Sequence, residues 1–251
     1  MREAMPKRAR AKYPSYLNEL ASTNAIIGKQ EQRSAPDGKY RSKWQIHRSD
    51  LANYALTFDR LFHGGFAYEL DEIAKRKPDA SVLDVMATDI AVGEAIDRGF
   101  SYGMAVSLGF PPVRTDLESK IDNVNGDILL RMTWDEIADR MNVRGIQGFD
   151  VIIARPEGGL DHLTSFPLVH FRILQRLWRI LSSDNGLLVI QGPVHSYDLA
   201  EAYFGCLKQM HGDTIGSTVL GIDGWGYKVA LRKYPGAPHS LPTPKMLGIT
   251  Q

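Results

Sequence analysis

Between residues 81 and 191, short apolar runs alternate with amphipathic stretches, and this alternation restricts the fold more than any other feature of the chain. Ser81-Val82-Leu83-Asp84-Val85-Met86 reads as a strand, 91–98 as a helix stopped by Gly99, and 102–108 as a second strand. A polar, turn-rich section holding Pro111, Pro112, Asn123 and Asn125 leads to a third apolar stretch at 126–130, and Thr133 is placed to cap a helix over 134–141. Phe149-Asp150-Val151-Ile152-Ile153-Ala154 is the next strand. Leu168, Phe171, Leu174, Leu177 and Leu181 then form a helical stripe opening near Pro167, a residue favoured in a first helical turn. Asp184-Asn185-Gly186 turns the chain into a strand at 187–191. Strands separated by helices pair in parallel and carry helices on both faces.

After residue 191 the alternation stops. A helix is expected over 197–210, but the strands 217–222 and 227–232 are separated only by Asp223-Gly224-Trp225-Gly226, a link so short that they must form an antiparallel hairpin. The expected architecture is α/β: a doubly wound, mostly parallel seven-stranded sheet with a C-terminal antiparallel hairpin and an N-terminal helical extension. In that extension Leu51, Tyr54, Phe58, Leu61 and Phe62 recur at helical spacing behind a capping Ser49 or Asp50, predicting one helix to about residue 63. Gly64 and Gly65 interrupt it, and Phe66, Leu70 and Ile73 resume the period until Lys77-Pro78-Asp79 forces a turn. The chain therefore divides into a partly ordered basic arm (1–48), an α/β domain (49–233, with its lead-in at 49–80) and a proline-rich tail (234–251). The tail is expected to be extended and poorly ordered.

The 251 residues, 43% hydrophobic and 24% charged, have the balance of a globular chain with a sizeable core. No apolar run approaches the roughly 20 residues of a membrane helix, and the first 25 residues lack a signal-peptide core, so a cytoplasmic protein without membrane contact is expected. The single cysteine, Cys206, excludes an internal disulfide and a multi-cysteine metal site, and is expected to be buried. His47, His63, His170, His211 and His239 show no metal-ligand spacing, so no metal is expected. The formal net charge of +1 conceals an asymmetry: residues 1–48 hold 11 Lys+Arg against 4 Asp+Glu, and the remainder 19 against 25. Either this arm is simply solvated, or it follows a polyanion such as RNA, with Tyr13, Tyr16, Tyr40 and Trp44 available to stack on bases.

The strand FDVIIA, the helix FRILQRLWRILSSDNG, the strand LLVIQ and the terminal hairpin together resemble the class I S-adenosylmethionine-dependent methyltransferases, a Rossmann-like superfamily, over about residues 80–233. The resemblance implies S-adenosyl-L-methionine as cofactor and assigns places to it. After the first strand the family has a glycine-rich loop that passes close to the methionine part of the cofactor. Here VLDVMATDIAVGEA supplies Asp84 at the acidic position, with Met86, Thr88 and Ile90 where glycines are expected and Ala87 between them. At the end of the second strand, where the family presents a carboxylate to the ribose, Ser107 and Leu108 stand instead. NGDI places Asp127 and Ile128 at the adenine edge, and Ala154-Arg155-Pro156-Glu157 lies at the substrate mouth.

Methyl transfer from a sulfonium needs a general base only when the acceptor must lose a proton. Asp161, His162, Glu157 and His195 follow the fourth and fifth strands, where open α/β sheets bind ligands; His162, whose ordinary pKa suits neutral pH, is the candidate base, with Asp161 beside it. The acceptor stays open between RNA and a small molecule, and so does the oligomeric state. The missing glycines and Ser107 also fit a catalytically inactive methyltransferase-like binding or regulatory subunit. A nicotinamide enzyme would carry Gly-x-Gly-x-x-Gly after the first strand, which 86–93 lacks.

Overall fold

A computed structural model describes residues 50–107, 112–126, 128, 131–155, 167–192, 197–223 and 226–249. Helix α1 (Leu51–Phe58) starts where the Asp50 carboxylate accepts the backbone N–H of Asn53 at 2.7 Å. The single helix expected to residue 63 ends five residues early. Asp59–Leu61 tightens into a 3₁₀ turn, Gly65 takes φ 85°, and the Asp59 carboxylate caps α2 (Phe66–Arg76) by accepting the N–H of Phe66 at 2.7 Å.

The sheet follows. Strands β1 (Ser81–Val85), β2 (Tyr102–Ser107), β3 (Ile121–Asn125), β4 (Val151–Ala154), β5 (Gly186–Gly192), β6 (Ile215–Asp223) and β7 (Gly226–Lys233) lie in the order β3-β2-β1-β4-β5-β7-β6. The first five are mutually parallel, while β7 runs antiparallel between β5 and β6. The predicted doubly wound, mostly parallel seven-stranded sheet with a terminal antiparallel hairpin is therefore present. Helices α3 (Ile90–Asp97), α4 (Arg131–Arg144), α5 (Pro167–Arg179) and α6 (Tyr197–His211) complete the layers.

Alternate residues of the central strands feed two separate cores, as a period of two requires. Val82, Val151, Ile153, Leu187 and Val189 pack with Tyr54, Phe58, Phe66, Leu70 and Ile96 from α1, α2 and α3. Leu83, Val85, Ile152, Leu188 and Ile190 pack on the opposite face with Trp134, Leu177, Trp178, Tyr203 and Phe204 from α4, α5 and α6.

Four expectations are corrected. The third strand is Ile121–Asn125, not 126–130, and Thr133 lies inside α4 rather than at its cap. The strand escapes an apolar-run reading because its polar residues have specific partners: Asp122 accepts from the Tyr102 hydroxyl at 2.8 Å and from Arg144 at 2.9 and 3.1 Å. The tail is not loose. Trp178, Gln175 and Tyr203 donate to the carbonyls of Pro238, Leu241 and Pro242, Leu241 is buried, and Pro244–Leu247 forms a 3₁₀ turn. Cys206 is only half-buried. Among the described residues no helix is long and apolar enough to cross a membrane, and no cluster of three His, Cys, Asp or Glu is placed to hold a metal.

Candidate functional site at the strand ends

The strand order reverses direction of growth between β1 and β4, and in open α/β sheets ligands bind beyond the carboxyl ends of the strands at such a switch point. Met86, Ala87 and Thr88 leave β1 there, and Arg155 leaves β4, with Val85 directly opposite Ala154. The loop after β1 is held by two hydrogen bonds, Met86 N–H and Ala87 N–H to the carbonyl of Val106, at 2.7 and 3.2 Å. Met86 takes φ 73°. A left-handed backbone costs a side chain with a Cβ about 1–2 kcal/mol and costs glycine almost nothing. The backbone thus keeps a conformation suited to glycine although the residue is methionine.

Asp84 lies below this loop with 0% exposure. The Tyr54 hydroxyl donates to its Oδ2 at 2.8 Å, and among the described residues its Oδ1 has no hydrogen-bond partner. Burial pushes the Asp84 carboxyl well above the ordinary carboxylate range, against the opposing pull of the Tyr54 hydrogen bond and the Arg155 charge. Arg155 in turn donates from Nε to Gln191 Oε1 at 3.1 Å and lies over the Tyr54 ring, 5.7 Å from guanidinium carbon to ring centroid. The fold thereby joins α1, β1, β4 and β5 through Tyr54, Asp84, Arg155 and Gln191.

A second contact anchors the outer rim. Asp89, at the start of α3, accepts the backbone N–H groups of Val113 at 2.9 Å and Arg114 at 3.1 Å, holding the β2–β3 connection against α3. Arg114 continues the link by pairing with Asp97 and Asp116. Ser107 is buried at the end of β2, opposite Asn125, and its carbonyl accepts Gly126 N–H at 2.9 Å. Ile128 is also buried, its carbonyl accepting the Trp134 indole N–H at 2.6 Å.

Of the residues singled out in the sequence, Asp84, Met86, Ala87, Thr88, Ser107, Ile128, Ala154 and Arg155 all lie at or next to the carboxyl ends of β1–β4. Asp84 and Arg155, far apart in the chain, share one electrostatic environment. Leu108, Asp127, Glu157, Asp161, His162 and His195 fall outside the described residues. Tyr54, Asp89 and Gln191 were missed. Tyr54 reads as one more apolar residue of a helical stripe; the signal was its hydroxyl, which when buried demands a partner.

No family model matches the sequence, and no curated protein matches it. Solved structures do. An O-methyltransferase from Bacillus cereus in complex with SAH is similar at 8% identity, over 89% of this chain and 90% of that one, with a TM-score of 0.44. An rRNA methylase from Streptococcus thermophilus is similar at 10% identity, over 66% and 95% of the two chains, with a TM-score of 0.42. This chain spans about half, 48%, of a protein from Streptococcus mutans assigned as a SAM-dependent methyltransferase, at 13% identity and a TM-score of 0.42. Likeness of this degree assigns no activity.

Proposed function

We propose that the chain binds S-adenosyl-L-methionine across the carboxyl ends of β1–β4 and transfers its methyl group to an acceptor entering beside Arg155. The observation that carries this reading is the sheet itself, five parallel strands followed by the reversed β7 between β5 and β6. The left-handed backbone at Met86, where the resemblance expects the first loop glycine, supports it independently.

On this reading Met86, Ala87 and Thr88 border the methionine part, Ser107 and Leu108 the ribose, and Asp127 and Ile128 the adenine edge. Asp84, fully buried, acts from beneath the loop as its support. Ala154 and Arg155 form one wall of the acceptor mouth. Bound there, the sulfonium supplies an already activated methyl group, so the chain's own work is to hold the acceptor in line and exclude water. Where the acceptor must lose a proton, His162 beside Asp161 takes it. The acceptor is RNA or a small molecule, and the basic segment 1–48 directs the first search to RNA.

A second reading has an observation of its own. Ala87, Thr88 and Ser107 are 4%, 3% and 7% exposed, which leaves them little surface to offer a cofactor and favours a methyltransferase-like subunit that binds or regulates without turnover. Calorimetric titration of the folded protein with S-adenosylmethionine and S-adenosylhomocysteine separates the two. Micromolar binding, weakened about tenfold by Asp127→Ala, supports the enzyme; absence of binding to either overturns it and favours the regulatory subunit.

A further inference from the structure

At the end of the sheet away from that site, the amino-terminal ends of β1, β2, β4 and β5 and the final turns of α4 and α5 surround an open cavity of about 690 Å³. This is within the size range of small-molecule sites, roughly 300–1,000 Å³. Its lining is polar and predominantly cationic: Lys77, Lys120, Arg144, Arg179 and Lys233 against Asp79 and Asp150.

The partners of these cations decide what the cavity can hold. Lys77 is bound to Asp150 at 2.7 Å, and Arg144 to Asp122 at 2.9 Å, so both are neutralised. Lys233 is 4% exposed; its ammonium donates to the carbonyls of Trp178 and Leu181, each at 2.8 Å, and lies 5.3 Å from the Trp178 ring centroid. Those bonds answer the partial negative charge at the end of α5, about half an electron, and leave one of its three N–H donors over. No carboxylate within salt-bridge range pairs with Lys233, Arg179 or Lys120 among the described residues. Arg179 uses Nε on the Ser240 hydroxyl at 3.0 Å, which orients its guanidinium while the two terminal nitrogens stay available as a fork. Burial alone holds the Lys233 pKa below its ordinary value. A buried ammonium without a counter-charge is costly, and an anion in the cavity offsets that cost.

We propose that this cavity is a binding site for a phosphate-bearing ligand of nucleotide size, with Arg179 gripping the phosphate, Lys233 supplying the buried positive charge beside it and Lys120 adding positive charge from the β3 side of the cavity. The site is separate from the cofactor end and does not depend on the methyltransferase reading. Its ligand is either a free nucleotide or one phosphate-bearing unit of an RNA backbone, which present the same chemistry.

The test titrates the full chain, by calorimetry, with 5′-UMP, uridine, inorganic pyrophosphate and a twelve-residue oligouridylate, with and without saturating S-adenosylhomocysteine. The uracil nucleotide avoids the proposed adenine edge. The expected result is saturable binding of 5′-UMP at least tenfold tighter than uridine, unaffected by S-adenosylhomocysteine, and reduced at least tenfold in Lys120→Gln/Arg179→Gln. Both substitutions are at exposed side chains, so the unfolding midpoint should not move. Oligouridylate binding that falls tenfold in the same variant, at unchanged midpoint, identifies the backbone source; a loss confined to 5′-UMP identifies the free nucleotide. Equal affinity for 5′-UMP and uridine, absence of binding by every phosphate probe, or unchanged binding by the double variant overturns the proposal. The cofactor titration is scored separately, so failure of either idea leaves the other standing.

Discussion

The hydroxyl of Tyr54 donates to Oδ2 of Asp84 at 2.8 Å, and this bond ties the first helix to β1. Asp84 is fully buried, and among the described residues its other oxygen has no partner and Tyr54 supplies the only side-chain hydrogen bond to this carboxyl. Tyr54→Phe keeps the ring and removes the donor. It should cost about 1–3 kcal/mol, the range for stranding a buried polar atom. Urea denaturation of both proteins measures it, and an unchanged midpoint at constant slope would show that the bond contributes nothing.

The same carboxyl sets a pH dependence. In the folded chain its pKa is held well above the ordinary value by burial, while the unfolded chain ionises near the usual value of about 3.9. Between those two values the native state binds more protons than the unfolded one, so its contribution to stability falls as pH rises from about 4 and levels off above the native pKa. Asp84→Asn cannot titrate and still offers an oxygen to Tyr54. Its urea midpoint, relative to the parent, should therefore improve progressively as pH is raised from 4 to 8. A constant difference across that range would mean that Asp84 is ionised throughout.

Met86 holds a left-handed backbone at φ 73°. Met86→Val, a β-branched residue in the same conformation, should lower stability by about 1–2 kcal/mol. Met86→Gly relieves the backbone while losing half-buried side-chain contacts, and should fold to within about 1 kcal/mol of the parent. If the loop serves S-adenosylmethionine, the glycine variant should also bind it several-fold more tightly. Equal losses in the two variants would show that the side chain, not the backbone, matters there.

Gly192 on β5 is paired with Tyr227 on β7, and a Cβ at Gly192 would fall within the tyrosine ring. Tyr227 is buried, and the ring cannot simply swing into solvent. Gly192→Ala should cost about 1–3 kcal/mol by overpacking. In a Tyr227→Ala background the same change should cost much less, since the obstruction is gone. Thermal unfolding of the four proteins closes the cycle, and additive effects would disprove the contact.

Deletion of residues 1–45 should leave a cooperatively folding protein, because α1 is capped by its own Asp50 and its first backbone N–H, that of Leu51, donates to Glu94 at 2.6 Å. A non-cooperative urea transition in the shortened chain would make the basic segment part of the core.

The alternation of strands and helices, the reversed hairpin and the loop after β1 were all legible in the chain, because a period of two or 3.6 and a short glycine-bearing link are properties of neighbouring residues. The third strand was not. Ile121–Asn125 carries two apolar residues among polar ones, and its place in the sheet depends on Asp122 meeting Tyr102 and Arg144. The tail escaped for a similar reason, since its prolines read as loose while its carbonyls are taken by Gln175, Trp178 and Tyr203.

The candidate site divides along the same line. Asp84, Met86, Ser107 and Arg155 could be named from local pattern and resemblance. Tyr54 as the partner of Asp84, and Asp89 as the clasp on the β2–β3 connection, exist only because folding brings together groups 30 and 24 residues apart. Local periodicity therefore sufficed for the elements and their order. Which buried ionisable groups find a partner, and which, like Asp84 and Lys233, are left partly unanswered, depends on desolvation and on distances across the sheet, and these arise only on folding.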